Sequence, residues 1–336
     1  MSFRGAAVLM ALVLIVSGCD RSEPSRVAGP VPSSPAAEAS ASSTSVPEAS
    51  PTASERCDGF PSNNIWRADV SKLPVHKSSA AYVASIGASA TMHPDFGSGT
   101  WQGSPIGIPV TTVRPDQAKV KVTFQYGRES DPGPYPVPAG VAIEGGGDRH
   151  IILHDPVGCK VYELFAAQQA GDGTWRAGSG AVFDLRSHRL RPAGWTSADA
   201  AGLSIFAGLT RYSEKEISHA LRITAPRTRN AYVWPARHAA SASSDPALPP
   251  MGLRLRLKAG VDTSSMPRQA RMIAEAMKRY GVILADNGSP WYLSGAPDQR
   301  WSNDALRALK SLHGSDFEAV DTSGLMVDKD SGECRQ

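Results

Sequence analysis

Short apolar runs separated by glycine and proline make up most of the chain from residue 57 onward. Few of these runs are long enough for a helix, and many contain the β-branched and aromatic residues that favour strands. Regularly spaced short strands with turn signals between them are typical of an antiparallel sandwich or barrel. We therefore predict strands over residues 106–113, 120–126, 150–154, 161–166, 180–185, 220–224, 231–234, 253–258 and 282–285.

Helical periodicity is confined to a few segments. The clearest has Pro267 near its start, apolar residues at helical spacing and Gly281 as a stop signal. Ser213 and Glu216 have the spacing of a capping box, which predicts a helical turn before the strand at 220. The predicted fold is mainly β or α+β, an antiparallel β-sandwich or barrel-like core with a few peripheral helices. The predicted helices cover residues 79–86, 265–280 and 302–313.

The N-terminus has the pattern of a secretory signal peptide over residues 1–18. Arg4 precedes an apolar or small-residue run over residues 5–16, which is too short to span a bilayer. The run ends in Val16-Ser17-Gly18-Cys19, which resembles the lipobox of bacterial lipoproteins. The resemblance implies that the thiol of Cys19 receives diacylglycerol and anchors the protein to a membrane.

Residues 19–56 are predicted to form a disordered tether behind the lipid. The segment after Cys19 is rich in Ser, Ala and Pro and has no aromatic residue, so it buries too little apolar surface to fold. Beyond it, residues 57–336 are predicted to form a single globular β-rich domain. We expect an exported lipoprotein that faces the periplasm or the cell exterior.

Charge and motifs exclude several classes of function. The net charge is +3, and the acidic and basic residues are interspersed, which is unlike a nucleic-acid-binding protein. The chain contains no P-loop, no dinucleotide fingerprint, no G-x-S-x-G and no H-E-x-x-H motif. We therefore predict no cofactor and no metal.

Cysteine usage predicts one disulfide in an oxidising compartment. The chain has four cysteines, and lipidation would leave Cys57, Cys159 and Cys334. The pair Cys57–Cys159 is favoured over Cys57–Cys334. None of the three has the CxxC spacing that is typical of zinc sites.

The first candidate site is a hairpin that carries Asp148, His150 and Glu163. If residues 155–158 form its loop, His150 lies opposite Glu163 and all three side chains share one sheet face. A carboxylate opposite a histidine is typical of an acid–base pair. The same pattern also suits a structural ion pair, with the glycines serving the turn, or a metal site.

Further candidates for substrate binding combine aromatic, basic and acidic side chains. Tryptophans stack on sugar rings or serve as buried anchors. Arginines bind carboxylates and phosphates, or cover a strand edge with their stems. Asp286 follows an apolar strand and fits either a turn or a second carboxylate. These candidates are Trp195, His219, Arg222, Trp234, Arg237, His238 and Asp286.

Three stretches resemble secreted bacterial proteins of unassigned function. They are Phe60-Pro-Ser-Asn-Asn-Ile-Trp66, Gly147-Asp-Arg-His150 and Tyr232-Val-Trp-Pro-Ala-Arg-His238. The resemblance covers most of residues 57–320 and implies no activity. The residues themselves favour a carbohydrate-active enzyme of the cell envelope, a glycoside hydrolase or polysaccharide lyase acting on a polysaccharide or other glycan. The alternative is a non-catalytic lipoprotein that binds glycan or peptidoglycan.

Overall fold

The computed structural model of the protein describes residues 57–335. The predicted signal peptide, Cys19 and the tether lie outside the described residues. Helices α1 to α4 are Ser79–Ile86, Ile205–Gly208, Arg268–Arg279 and Asn303–Arg307. Strands β1 to β15 are His93–Pro94, Thr100–Trp101, Ser104–Pro105, Val110–Thr112, Val122–Phe124, Ile151–Asp155, Lys160–Phe165, Gln168–Gln169, Trp175–Ala177, Ser179–Asp184, Leu221–Ala225, Arg254–Leu257, Val282–Asn287, Tyr292–Leu293 and Phe317–Ala319.

The strands form three main sheets and one small hairpin. A six-stranded sheet has the order β1-β14-β11-β13-β12-β15, a four-stranded sheet β10-β7-β6-β4 and a three-stranded sheet β5-β9-β8, while β2 pairs with β3. The predicted mainly β or α+β class is confirmed. The sheets are mixed, because β1–β14, β11–β13, β4–β6 and β5–β9 are parallel pairs.

The two faces of the four-stranded sheet pack on different partners, since side chains alternate along a strand. Leu153 and Leu164 share a buried cluster with Trp175 of the three-stranded sheet. Ile152, on the opposite face, belongs to a cluster with Phe206 of α2. The short helix α2 therefore covers the face of the sheet that carries His150 and Glu163.

The largest core cluster lies on the six-stranded sheet. Helix α3 places Ile273 and Met277 in it at helical spacing, and the same cluster holds Leu255 of the neighbouring strand β12. Helix α2 also touches this sheet: a Cβ on Gly208 would lie 3.1 Å from the Cβ of Arg222 in β11. Thus α2 lies between the four-stranded and six-stranded sheets.

Most predicted elements are confirmed, with two clear exceptions. The strand predicted at residues 231–234 is wrong, because the segment makes only a bridge between Tyr232 and Met251. The helical turn predicted at residues 213–216 is also wrong. There the carboxylate of Glu214 binds Arg211 and His219, and these side-chain bonds hold the segment as a turn.

The predicted disulfide between Cys57 and Cys159 is present, with the two Cα atoms 5.1 Å apart. It ties the start of the described chain to the β6–β7 turn. Cys334 is a buried free thiol that donates to the carbonyl of Asn63 at 3.2 Å. Within residues 57–335, no helix has both the length and the apolar character needed to cross a bilayer.

Candidate active site

A cavity of about 370 Å³ opens where the four-stranded sheet, the loop before α2 and the end of β13 meet. This volume is in the range of small-ligand sites. Four of its lining residues carry carboxyl groups and one carries an imidazole. They are Glu129, Asp148, Asp199, Asp286 and His238.

Asp199 is the most buried acid of the cavity, with 2% of its surface exposed. Its Oδ1 accepts hydrogen bonds from the backbone N–H groups of Ala201 and Leu203, both at 3.0 Å, and from the hydroxyl of Ser197 at 3.2 Å. Its Oδ2 is buried and has no hydrogen-bond partner among the described residues. The loop therefore fixes one carboxyl oxygen, while the other is fully buried at the cavity wall, 3.7 Å from the guanidinium of Arg222.

Burial raises the pKa of Asp199 to about 7, against the opposing effect of the Arg222 guanidinium. The neighbouring charge of Asp286 raises this pKa further. A carboxyl group with this pKa is about half protonated at neutral pH. Asp199 can therefore hold a proton under conditions in which an ordinary aspartate is ionised, as a general acid must.

Arg222 lies between the two carboxylates of Asp199 and Asp286. Its Nη2 is 3.7 Å from Oδ2 of Asp199 and 3.8 Å from Oδ2 of Asp286. Its Nη1 donates to the hydroxyl of Ser294 at 2.8 Å, which holds the guanidinium in place, while Nε and Nη2 have no hydrogen-bond partner among the described residues. The charge of Arg222 therefore acts on the carboxyl groups of both Asp199 and Asp286.

Asp286 is the more accessible of the two acids, with 29% of its side chain exposed. Burial raises its pKa, and the charges of Arg222 and His150 oppose that rise. Its Oδ1 accepts from the backbone N–H of Asn287, the next residue of β13, at 2.7 Å. The turn interpretation of Asp286 is wrong, because the residue lies in strand β13 and pairs with Thr224 of β11; its carboxyl group lines the cavity.

His150 lies behind the cavity and pairs with Glu144, not with Glu163. Its Nδ1 bonds the carboxylate of Glu144, and its Nε2 lies 3.0 Å from the carbonyl of Ala198. Burial lowers the pKa of His150, but the hydrogen bond and charge of Glu144 outweigh it, so the pKa is raised overall. The charge of a protonated His150 lowers the pKa of the nearby Asp286.

The predicted hairpin register is wrong by two residues. Asp155 pairs with Lys160 and Ile152 pairs with Glu163, so residues 156–159 form the loop instead of residues 155–158. The side chain of Asp155 accepts from the N–H of Gly158 at 2.7 Å, and Cys159 has a φ of 53°, which moves the turn toward the second strand. A shift of two keeps the parity, so His150 and Glu163 remain on one face.

Glu163 caps helix α2 and does not line the cavity. It is fully buried and accepts from the hydroxyl of Ser204 at 2.7 Å and from the backbone N–H groups of Ile205 at 3.0 Å and Phe206 at 2.9 Å. Burial raises the pKa of Glu163, and these three hydrogen bonds oppose the rise. The structure therefore assigns the buried Glu163 to the helix N-terminus, where carboxylates are stabilised.

Asp148 and His238 lie at the cavity as separate wall residues. Asp148 is exposed at the rim. The Nδ1 of His238 is 2.8 Å from the carbonyl of Ala200, and its Nε2 is 3.9 Å from the carboxylate of Glu129. Both are placed to contact a ligand and not to activate Asp199.

The other predicted binding residues do not line this cavity. Trp195 is half-buried, with its ring 5.6 Å from the Arg191 guanidinium. Trp234 donates to the carbonyl of Ser331 at 2.8 Å. Arg237 pairs with Asp330 at 2.5 Å. The Nε2 of His219 lies 3.0 Å from the carboxylate of Glu214. The sequence-based prediction placed these four residues in one substrate-binding cleft, whereas the structure places them outside the cavity.

The sequence-based prediction of the site did not include three acidic residues, Asp199, Glu129 and Glu144. Asp199 stands in a run of small and apolar residues, and such a context signals a buried carboxyl group. Glu144 begins the glycine-rich segment that leads to His150. Glu129 had no distinguishing signal. No set of three or more His, Cys, Asp or Glu side chains within residues 57–335 is arranged to hold a metal ion.

Comparison of the chain with protein-family models, with characterised proteins and with solved structures finds no match.

Proposed function

We propose that the protein is a glycoside hydrolase in which Asp199 is the general acid and Asp286 is the second carboxylate. Glycosidic hydrolysis uses one protonated carboxyl group to donate to the leaving oxygen and one carboxylate as nucleophile or base. The observation that carries the proposal is the Oδ2 of Asp199, which is buried without a hydrogen-bond partner among the described residues, in the wall of a cavity that Asp286 also lines.

The environments of the two acids favour this division of roles. Asp199, with a pKa of about 7, is about half protonated at neutral pH. Asp286 is partly exposed, and the charge of Arg222 opposes the rise in its pKa that burial causes. Two acids whose environments differ in this way are typical of acid–base catalysis.

A polysaccharide lyase is less well supported by the same cavity. A lyase needs a positive group to neutralise the carboxylate of a uronic acid. Here the cavity wall carries four carboxyl groups and a single imidazole, and the guanidinium of Arg222 is already engaged by Asp199 and Asp286. The charge favours a neutral or amino-sugar glycan as substrate.

We also propose that the enzyme is held at the cell envelope by lipid on Cys19. Support comes from the Val16-Ser17-Gly18-Cys19 sequence and from the Cys57–Cys159 disulfide, since such bonds persist in oxidising compartments. Membrane fractionation of wild type and Cys19→Ala tests this part. Membrane association of the wild type alone supports the anchor, whereas identical fractionation contradicts it.

The catalytic part is tested by incubating the full chain with a panel of envelope and plant polysaccharides and detecting new reducing ends. We expect release from a neutral or amino-sugar glycan, loss of release in Asp199→Asn and Asp286→Asn, and no change in the control Asp172→Asn, an exposed aspartate of the β8–β9 turn. Saturable glycan binding without product would instead favour the non-catalytic binder. An unsaturated product would favour the lyase.

A further inference from the structure

A second cavity, of about 380 Å³, lies beside α1 and shares no lining residue with the candidate active site. Its wall is apolar over much of its area, with Tyr82, Trp234, Leu253 and Met326 among the lining residues. The ionisable lining residues are Arg229, Arg254, His76 and Asp321.

Arg254 brings a buried positive charge to this cavity. It is 2% exposed and donates through Nη2 to the carbonyls of Ile65 at 3.1 Å and Ala68 at 3.5 Å, while its Nε has no partner among the described residues. Burial lowers the pKa of Arg254 to about 9, and the acidic group that opposes this is the thiol of Cys334. Because burial raises the pKa of that thiol, it is uncharged at neutral pH and leaves the guanidinium uncompensated.

Arg229, which is half-buried, adds a second guanidinium that has no acidic partner among the described residues. Its Nε is also buried and without a partner among residues 57–335, and its Cζ lies 5.9 Å from the ring of Tyr82. Neither Arg229 nor Arg254 forms an ion pair with any acid in that part of the chain. A buried cation without a counter-charge is costly, and an anionic ligand would remove that cost.

The other polar groups of the cavity wall are suited to an anionic ligand that also carries hydroxyl groups. The Nδ1 of His76 accepts from the backbone of Ser78 at 3.1 Å, so the hydrogen of the neutral ring is carried by Nε2. Asp321 accepts from the backbone of Ser323 at 2.9 Å, and its pKa is lowered by that bond. Asp321 can accept from a ligand hydroxyl while the arginines hold the charge.

We infer that this cavity is a binding site for a small organic anion, in which the carboxylate or phosphate group of the ligand is held by Arg229 and Arg254. The apolar wall formed by Trp234 and Met326 packs against the body of the ligand. The inference stands independently of the hydrolase proposal, because the two cavities have no residue in common.

The test measures binding to the full chain by calorimetry with three probes: glucuronate, inorganic phosphate and glucose, with potassium chloride at matched ionic strength. We expect saturable binding of glucuronate, or of phosphate, and none of glucose. Binding of glucuronate alone identifies a carboxylate on a sugar-sized body as the ligand, and binding of phosphate identifies the oxyanion as sufficient. Absence of binding by both anions, or equal binding of glucose and glucuronate, overturns the inference.

Variants separate the site from general charge effects. Arg229→Gln and Arg254→Gln should each weaken anion binding about tenfold or more, the factor expected from loss of one charge-assisted hydrogen bond. Arg227→Gln, which removes an exposed arginine outside the cavity, should bind as the wild type does. Unchanged binding in Arg229→Gln contradicts the site. Asp199→Asn should retain anion binding, so failure of the hydrolase proposal is distinguishable from failure of this one.

Discussion

The Nη2 of Arg222 lies 3.7 Å from the Oδ2 of Asp199, and neither atom has a hydrogen-bond partner among the described residues. The two atoms attract each other by charge but are too far apart for a good hydrogen bond. Asp199 thus keeps a raised pKa beside a guanidinium that would otherwise hold it ionised. This relationship sets the pH range in which the proposed acid carries its proton.

Arg222 should control the alkaline limb of the pH–rate profile. Its charge lowers the pKa of Asp199, so Arg222→Gln should raise that pKa above about 7 and move the limb to higher pH. The profile of kcat/KM against pH measures the shift, with the exposed Arg186→Gln as control. A limb that stays in place in Arg222→Gln would show that Asp199 is not the group that titrates.

Asp199 should make the protein less stable as pH rises. Its pKa is about 7 in the folded state and 3.8 as an ordinary aspartate, so the folded state binds more protons than the unfolded state between these values. The free energy of unfolding should therefore fall from pH 4 to pH 7, by on the order of 4 kcal/mol from this group. Denaturant unfolding of wild type and Asp199→Asn at several pH values measures this fall. The variant should show a smaller fall, because it lacks the carboxyl group of Asp199. Some fall should remain, because the pKa values of other buried acids are also raised.

Glu144 should be the cause of the raised pKa of His150. In Glu144→Gln the hydrogen-bonded charge is lost while burial remains, so the pKa of His150 should fall below its ordinary value. A titration of the histidine signals by NMR measures this, with the exposed His313 as an internal reference. A pKa of His150 that stays raised in the variant would assign the effect to another group.

Glu163→Gln should lower stability and leave the pH profile of turnover unchanged. The amide nitrogen of glutamine would face either the N–H of Ile205 or the N–H of Phe206, which are both donors, so one helix-terminal group would lose its acceptor. The expected cost is about 1–3 kcal/mol in the free energy of unfolding. A loss of turnover at unchanged stability would return Glu163 to the catalytic residues.

Local signals in the sequence were enough for much of the fold. The helix at 79–86 is found at its predicted bounds, and α3 starts directly after Pro267 and ends before Gly281. The hairpin was predicted on the correct strands, but its register depended on the left-handed Cys159 and on the side-chain bonds of Asp155. Hydrophobic pattern carries no information about such turn bonds.

The site could be predicted only in part, because its residues come together through tertiary packing. Three of the predicted site residues do line one cavity: Asp148, His238 and Asp286. Asp199 joins them because the N–H of Ala201 donates to the carbonyl of Ala285 at 3.0 Å, which ties its loop to β13. No spacing in the sequence reveals a contact between segments that are so far apart in the chain.

The role of Asp199 as general acid is tested most directly by its dependence on the leaving group. Asp199→Asn is compared with wild type on the natural glycan and on an aryl glycoside of the same sugar, whose phenolate departs without a proton. We predict that kcat on the glycan falls about a hundredfold to ten-thousandfold, the usual contribution of general acid catalysis, while hydrolysis of the aryl glycoside is largely retained. Equal loss on both substrates, or no loss on either, would contradict the assignment.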